Sequence, residues 1–259
     1  MIMKKLFIKN RKNQKICVVV ETPKSAKGLA FVMHGLGGFK DQPFLIKVAE
    51  AFLENNFTTV KFDTTNTFGE SDGKYEDATL TNYYEDLEDV IKWAEEESWY
   101  KEPFILAGHS LGGISCALFA EKYPEKIRAL IPISPVVSGG LTLETEYGKS
   151  IKDEWQRTGW REEKSVSIPG VIKRLPWSHM VDRIKYDLRP DAHKLTMPFL
   201  LIVGSKDETA PLEHQKLLFD AVPEGNKELL VIKGVHHMFR KDSDIAELKK
   251  VIFELVKSL

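Results

Sequence analysis

The chain has 259 residues, 42% of them hydrophobic, and its 37 lysines and arginines nearly balance 38 aspartates and glutamates, for a net charge of −1. Such a length and apolar content suit one large domain with a substantial core, and a balanced charge argues against nucleic acid or an anionic membrane surface as a partner. Two cysteines, Cys17 and Cys116, are too few for a disulfide framework or a metal signature and read as small apolar fillers.

At the N-terminus only Leu6-Phe7-Ile8 is apolar before charge returns, too short for the core of a signal peptide. No apolar run approaches the length of a membrane helix, so the expectation is a soluble, cytoplasmic protein. Leu6 to Lys9 and Ile16 to Glu21 read as strands joined by the polar turn Asn10-Arg11-Lys12-Asn13. Leu29 to Met33 is a continuous apolar run, as expected of a strand buried on both faces. Apolar residues recur at helical spacing from Pro43 to Asn55, Thr58 to Phe62 is a β-branched run, and Tyr84, Leu87, Val90, Ile91 and Ala94 mark a second helix.

Pro103 to Ala107 is the next strand, followed by a helical pattern through Ile114, Ala117 and Leu118, and then by the strand Ala129 to Ile133. Pro198 to Gly204 and Glu228 to Ile232 are the last strands, with a helix from Leu212 to Val222 between them. A terminal helix is striped by Ile245, Leu248, Ile252, Leu255 and Leu259 and is expected to open at Asp244, with Glu247 completing a capping box. Strands alternating with helices mean βαβ units and a mostly parallel sheet.

The segment from Ser138 to Pro190 breaks this rhythm. It carries no clean strand pattern, is rich in charge, and holds three of the five tryptophans, Trp155, Trp160 and Trp177. It is too long for an ordinary loop and reads as a lid or small subdomain inserted into a core formed by residues 1–137 and 191–259. The tryptophans read as packing for that insertion or, alternatively, as substrate-binding residues facing a cleft. Arg157, Arg161 and Lys164 read as its solvated face, with contacts to a substrate carboxylate as the other reading.

Gly108-His109-Ser110-Leu111-Gly112 fits G-x-S-x-G between an apolar strand and a helix, the context in which that pattern marks a nucleophile elbow. The turn pushes the serine oxygen out beyond the sheet and beside N–H groups at a helix start, which favour developing negative charge. A hydroxyl needs a base, and the base needs an orienting acid. Asp207, in Gly-x-x-Asp after the strand ending at Gly204, and His237, in Gly-x-x-His from Gly234, both fall just past strand ends. Spacing favours them over Glu208 and His236. The glycine-rich turn His34-Gly35-Leu36-Gly37-Gly38 lacks the Gly-Lys-Ser/Thr of a phosphate loop, so the N–H groups of Leu36 and Leu111 are the candidate oxyanion donors. No metal or other cofactor is called for.

The motifs HGLGG, GHSLGG, GSKDETAP and GVHHMF together make the chain resemble the α/β-hydrolase superfamily over essentially its full length. Residues 62 to 94 look like the matching segment of cinnamoyl/feruloyl esterases and of the related Hydrolase_4, or serine aminopeptidase S33-like, group. Those relatives carry Gly-His-Gly-x-Ser-x-Gly, whereas Asn66 to Gly73 here departs from it and is one residue longer. The resemblance implies an α/β-hydrolase fold, a lid between the sixth and seventh core strands forming one wall of an apolar acyl pocket, and a Ser110–His237–Asp207 triad acting on a small-molecule ester. Thioesterase, monoacylglycerol lipase and amidase chemistry use the same triad, and a non-catalytic receptor of this fold is a reading of a different class.

Overall fold

The computed structural model describes residues 1–165 and 170–259; Val166 to Pro169, inside the expected insertion, lie outside the described residues. In chain order the elements are β1 (Ile2–Lys9), β2 (Lys15–Thr22), β3 (Gly28–Met33), α1 (Pro43–Glu54), β4 (Phe57–Phe62), α2 (Leu80–Ala94), β5 (Phe104–His109), α3 (Leu111–Lys122) and β6 (Ile127–Ile133). The insertion follows as α4 (Gly139–Thr142), α5 (Glu146–Thr158), β7 (Trp160–Lys164), β8 (Ile172–Pro176) and α6 (Ser178–Arg183). The chain then closes with β9 (Phe199–Gly204), α7 (Leu212–Ala221), β10 (Lys227–Ile232) and α8 (Asp242–Ser258).

Eight strands form one sheet in the order β1-β2-β4-β3-β5-β6-β9-β10. β2 pairs antiparallel with both β1 and β4, and every other pairing is parallel. The continuous apolar runs now have a geometric explanation. Along β3, Leu29, Phe31 and Met33 enter the core beneath α2 and α3, while Ala30 and Val32 enter the opposite core beneath α1 and α8. β5 and β9 divide in the same way, because successive side chains of a strand point to opposite faces. Both faces being covered, no polar alternation is left to see in the sequence.

Two sequence expectations need correction. The terminal helix opens at Asp242 rather than at Asp244, with Lys241 as the capping residue and no side-chain cap; Asp242 and Asp244 both lie in the first turn, where their charge complements the helix dipole. The insertion, read as having no clean strand, contains the antiparallel ribbon β7–β8. Its strands, Trp-Arg-Glu-Glu-Lys and Ile-Lys-Arg-Leu-Pro, are mostly charged and largely solvated, so hydrophobic periodicity had little to register.

The insertion is tied to the core at its base. Thr81 donates to Asp182 through both its N–H (3.0 Å) and its hydroxyl (2.5 Å), and His179 Nδ1 donates to the Ala78 carbonyl at 2.8 Å. Trp155, Leu175 and Met180 pack with Tyr75, and Leu36 and Phe68 from the core loops join them.

Candidate active site

The end of β5 meets the start of α3 at Ser110, whose φ of 54° and ψ of −114° are strained for a residue with a side chain. The approach is close enough to require glycine nearby. A Cβ on Gly108 would sit 2.4 Å from the Gly112 carbonyl oxygen, and one on Gly112 would sit 2.5 Å from the His34 carbonyl oxygen. The strained turn is held by hydrogen bonds from Ser110 N–H to the Ile133 carbonyl (3.0 Å) and from Ile114 N–H to the Ser110 carbonyl (3.1 Å).

Ser110 Oγ lies 3.0 Å from His237 Nε2, and His237 Nδ1 lies 2.9 Å from Asp207 Oδ2 and 3.1 Å from Oδ1. The sequence thus selected residues that the fold brings together from the loops after β5, β9 and β10. His236 instead points outward, 4.0 Å from Glu208. Asp207 also accepts from the N–H groups of Thr209 (3.0 Å) and Ala210 (2.7 Å). Burial opposes ionisation of Asp207, but the facing imidazole and the Ala210 N–H outweigh it and hold the carboxyl below its ordinary range. A carboxylate at that distance fixes the proton on Nδ1 and leaves Nε2 as the acceptor toward the serine.

The β3–α1 loop presents Leu36 beside the serine. Thr64 N–H donates to His34 Nε2 at 3.0 Å, which places the His34 proton on Nδ1, 2.8 Å from the Gly35 carbonyl oxygen. Gly38 N–H donates to the same oxygen at 2.9 Å. In a trans peptide the C=O and the next N–H point opposite ways, so clamping the Gly35 carbonyl aims Leu36 N–H away from the loop. Among the described residues, no backbone carbonyl accepts from Leu36 N–H or Leu111 N–H. The departing segment, residues 66 to 73, braces this loop: the Thr67 hydroxyl donates to the Gly38 carbonyl, and Phe68 stacks on Tyr75 at 4.8 Å.

A cleft of about 540 Å³ opens over these groups, lined by Gly35, Leu36, Ser110, Leu111 and His237 among others. None of the three tryptophans lines it. Trp155 is buried in the insertion with Nε1 donating to the Leu175 carbonyl at 3.0 Å, Trp177 meets it edge-on at 5.4 Å, and Trp160 lies partly exposed under Arg174. The apolar wall expected from the insertion is also corrected. Its contributions to the cleft are Tyr147, Arg161, Glu163, Lys164, Lys173 and Arg183, whereas Arg157 is exposed and stays outside.

Sequence reading passed over His109, the variable position of the elbow. It is 2% exposed, donates from Nε2 to the His237 carbonyl at 2.9 Å, and packs on the His237 ring at 4.7 Å. Burial, reinforced by His237, pulls it down to about 3, so it stays neutral. No sequence signal distinguishes this histidine, because its partner is a backbone atom more than a hundred residues further along the chain. Cys17 and Cys116 are buried and unbridged. Cys17, Asp63 and Glu70 present ligand-type atoms within 4.8 Å of one another, and the Lys40 ammonium supplies positive charge there, 3.1 Å from Asp63 and 2.7 Å from Glu70.

Sheet order, the single reversed strand and a serine on the strained turn after the fifth strand define an α/β-hydrolase fold. The chain belongs to the serine aminopeptidase S33 family (Hydrolase_4), whose model matches residues 24–158 and 151–244. Among curated proteins it is 24% identical over 233 residues to mitochondrial palmitoyl-protein thioesterase ABHD10 of Mus musculus, covering 88% of this chain and 72% of that one. It is 22% identical over 242 residues to the monoglyceride lipase of Homo sapiens, covering 83% and 77%. The ferulic-acid-bound Est1E of Butyrivibrio proteoclasticus superposes with a TM-score of 0.81 at 24% identity over 98% of both chains, a likeness of fold. No helix among the described residues is long and apolar enough to cross a membrane.

Proposed function

We propose that the protein is a serine carboxylic-ester hydrolase working through an acyl-enzyme. One arrangement carries the reading: Ser110 Oγ, His237 and Asp207 in hydrogen-bonded sequence at 3.0 Å and 2.9 Å, opening on a cleft with two uncommitted N–H groups at its edge. Ser110 Oγ attacks the ester carbonyl while His237 Nε2 takes its proton. The carbonyl oxygen, now anionic, is met by the N–H groups of Leu36 and Leu111. Collapse breaks the bond to the alcohol oxygen, which receives the proton from His237, and leaves the acyl group on Ser110. Water then attacks that ester, giving its proton to His237, and the acid departs as Ser110 recovers its proton. Asp207 keeps the imidazole in the tautomer this requires, and the insertion between β6 and β9 serves as a lid.

A thioester is the second reading. The same steps cleave a thioester, and the likeness to a palmitoyl-protein thioesterase favours including it. The test is initial rates on p-nitrophenyl acetate, butyrate and octanoate, methyl ferulate and an S-acyl thioester, for wild type and Ser110→Ala. Turnover that falls by about 10⁴-fold or more in the variant is expected. Equal background rates for the two proteins would overturn the proposal.

A further inference from the structure

We infer that the ester taken by this site carries a second, anionic group, a carboxylate or a phosphate, received by Arg183 with Lys173 and Arg161 on the cleft wall made by the insertion. The inference rests on the ester-hydrolase reading and deepens it.

Arg183 is 7% exposed and lines the same cleft as Ser110 and His237. Among the described residues no carboxylate lies within ion-pair distance of its guanidinium, and its buried Nε has no hydrogen-bond partner. A buried cation without a counter-charge is strongly unfavourable unless something else supplies one. Arg161, from β7, is turned toward the same cleft; its guanidinium lies over the Trp155 ring at 4.8 Å and 3.6 Å from Glu163, and its Nε is also without a partner. Lys173, from β8, is half-buried in the cleft wall and forms no ion pair among the described residues.

The wall as a whole is unbalanced. Arg161, Lys164, Lys173, Arg183 and Arg240 face the cleft, against Glu163 and Glu208, in a protein whose net charge is −1. Burial, and then the neighbouring Arg161, pull Arg183 down to about 9, and burial lowers Lys173 as well. Both shifts have the sign of cations short of a counter-charge. A planar guanidinium offers paired donors that match a carboxylate or phosphate edge. A long neutral acyl chain would leave these groups desolvated and unpaired.

The test compares charge-matched pairs. Mono-p-nitrophenyl glutarate against p-nitrophenyl pentanoate places a carboxylate on the acyl side; monobutyryl glycerol 3-phosphate against monobutyryl glycerol places a phosphate on the alcohol side. In at least one pair the anionic ester is expected to have the higher kcat/KM, on the order of 10- to 100-fold, with the ratio shrinking as salt is raised. The ratio within a pair should fall toward one in Arg183→Gln and fall partway in Lys173→Gln. Should Arg183→Gln not fold, the Lys173→Gln ratio and the wild-type salt dependence decide. Equal rates within both pairs overturn the anion site and leave ester hydrolysis standing. If none of the four esters is hydrolysed, the ester reading fails; the anion site then stands if glutarate or glycerol 3-phosphate raises Tm in wild type but not in the folded arginine or lysine variant, and falls if neither does.

Discussion

His109 Nε2 donates to the backbone carbonyl of His237 at 2.9 Å, so the residue just before the elbow serine holds the main chain of the histidine facing that serine. His109→Phe keeps a ring against Phe44, which now sits 5.0 Å away, but removes the donor and leaves a part-buried carbonyl without it. We expect kcat to fall by about 10- to 100-fold with KM little changed. His109→Gln, which retains a side-chain N–H, should recover part of the loss. Steady-state kinetics on one ester decide it, and an unaltered kcat in His109→Phe would remove the positioning role.

Gly35 lets the β3–α1 loop approach Ser110 and His109 closely. A Cβ there would lie 2.9 Å from Ser110 Cβ and 3.0 Å from His109 Nδ1, and neither neighbour is free to move. Gly35→Ala should therefore displace Leu36 N–H and lower kcat by on the order of 10²- to 10³-fold, while circular dichroism reports a folded protein. Wild-type kcat in that variant would mean that Leu36 is not a donor to the oxyanion.

Lys40 sits in the loop between β3 and α1, against Asp63 just past the end of β4. Its side chain is 3% exposed and bonds Asp63, which is fully buried, as well as Glu70 and Asp41. Lys40→Met strands the Asp63 charge and should cost about 3–5 kcal/mol in urea unfolding. Glu70→Gln, whose side chain is 43% exposed, should cost under about 1 kcal/mol. Similar losses for the two variants would show that Asp63 does not depend on the lysine.

Acid should weaken the fold through buried neutral histidines. His109 and His179 are both pulled down to about 3, first by burial and then by a neighbouring cationic or imidazole group. Between that value and an unfolded value near 6.5, the unfolded chain binds a proton that the folded chain refuses. Stability therefore rises with pH across this window, is complete above it, and drops on acidification by up to about 1.4 kcal/mol per pH unit per histidine. Asp207, held below its ordinary range, adds a loss only at lower pH. Urea midpoints taken from about pH 7 to pH 5 should decline, and less steeply for His179→Gln; a flat profile in wild type contradicts the burial argument.

Much of the fold was legible because its strands are short apolar runs between helices whose periodicity shows at a glance. Leu29 to Met33 and Pro198 to Gly204 needed no three-dimensional information to be read as strands, the first of them buried on both faces. Ser110, Asp207 and His237 were legible for a related reason: each sits at a glycine-marked turn after a strand, and glycine is where backbone geometry leaves its trace in sequence. The ribbon β7–β8 left no such trace, since residues such as Arg161, Glu163 and Lys173 carry charge on a surface that the apolar code does not describe.

What the chain determined locally is the order of elements and the strained turns, because these depend on neighbours a few residues away. Only the tertiary structure decided how the cleft is lined. Arg183, on a short helix of the insertion, and His109, inside the elbow, look like ordinary polar residues in the sequence. Their significance arises from burial and from partners more than a hundred residues distant in the case of His109, or missing altogether among the described residues in the case of Arg183. Electrostatic energy depends on distance through space and on the loss of solvent, and neither quantity is written in the order of residues along the chain.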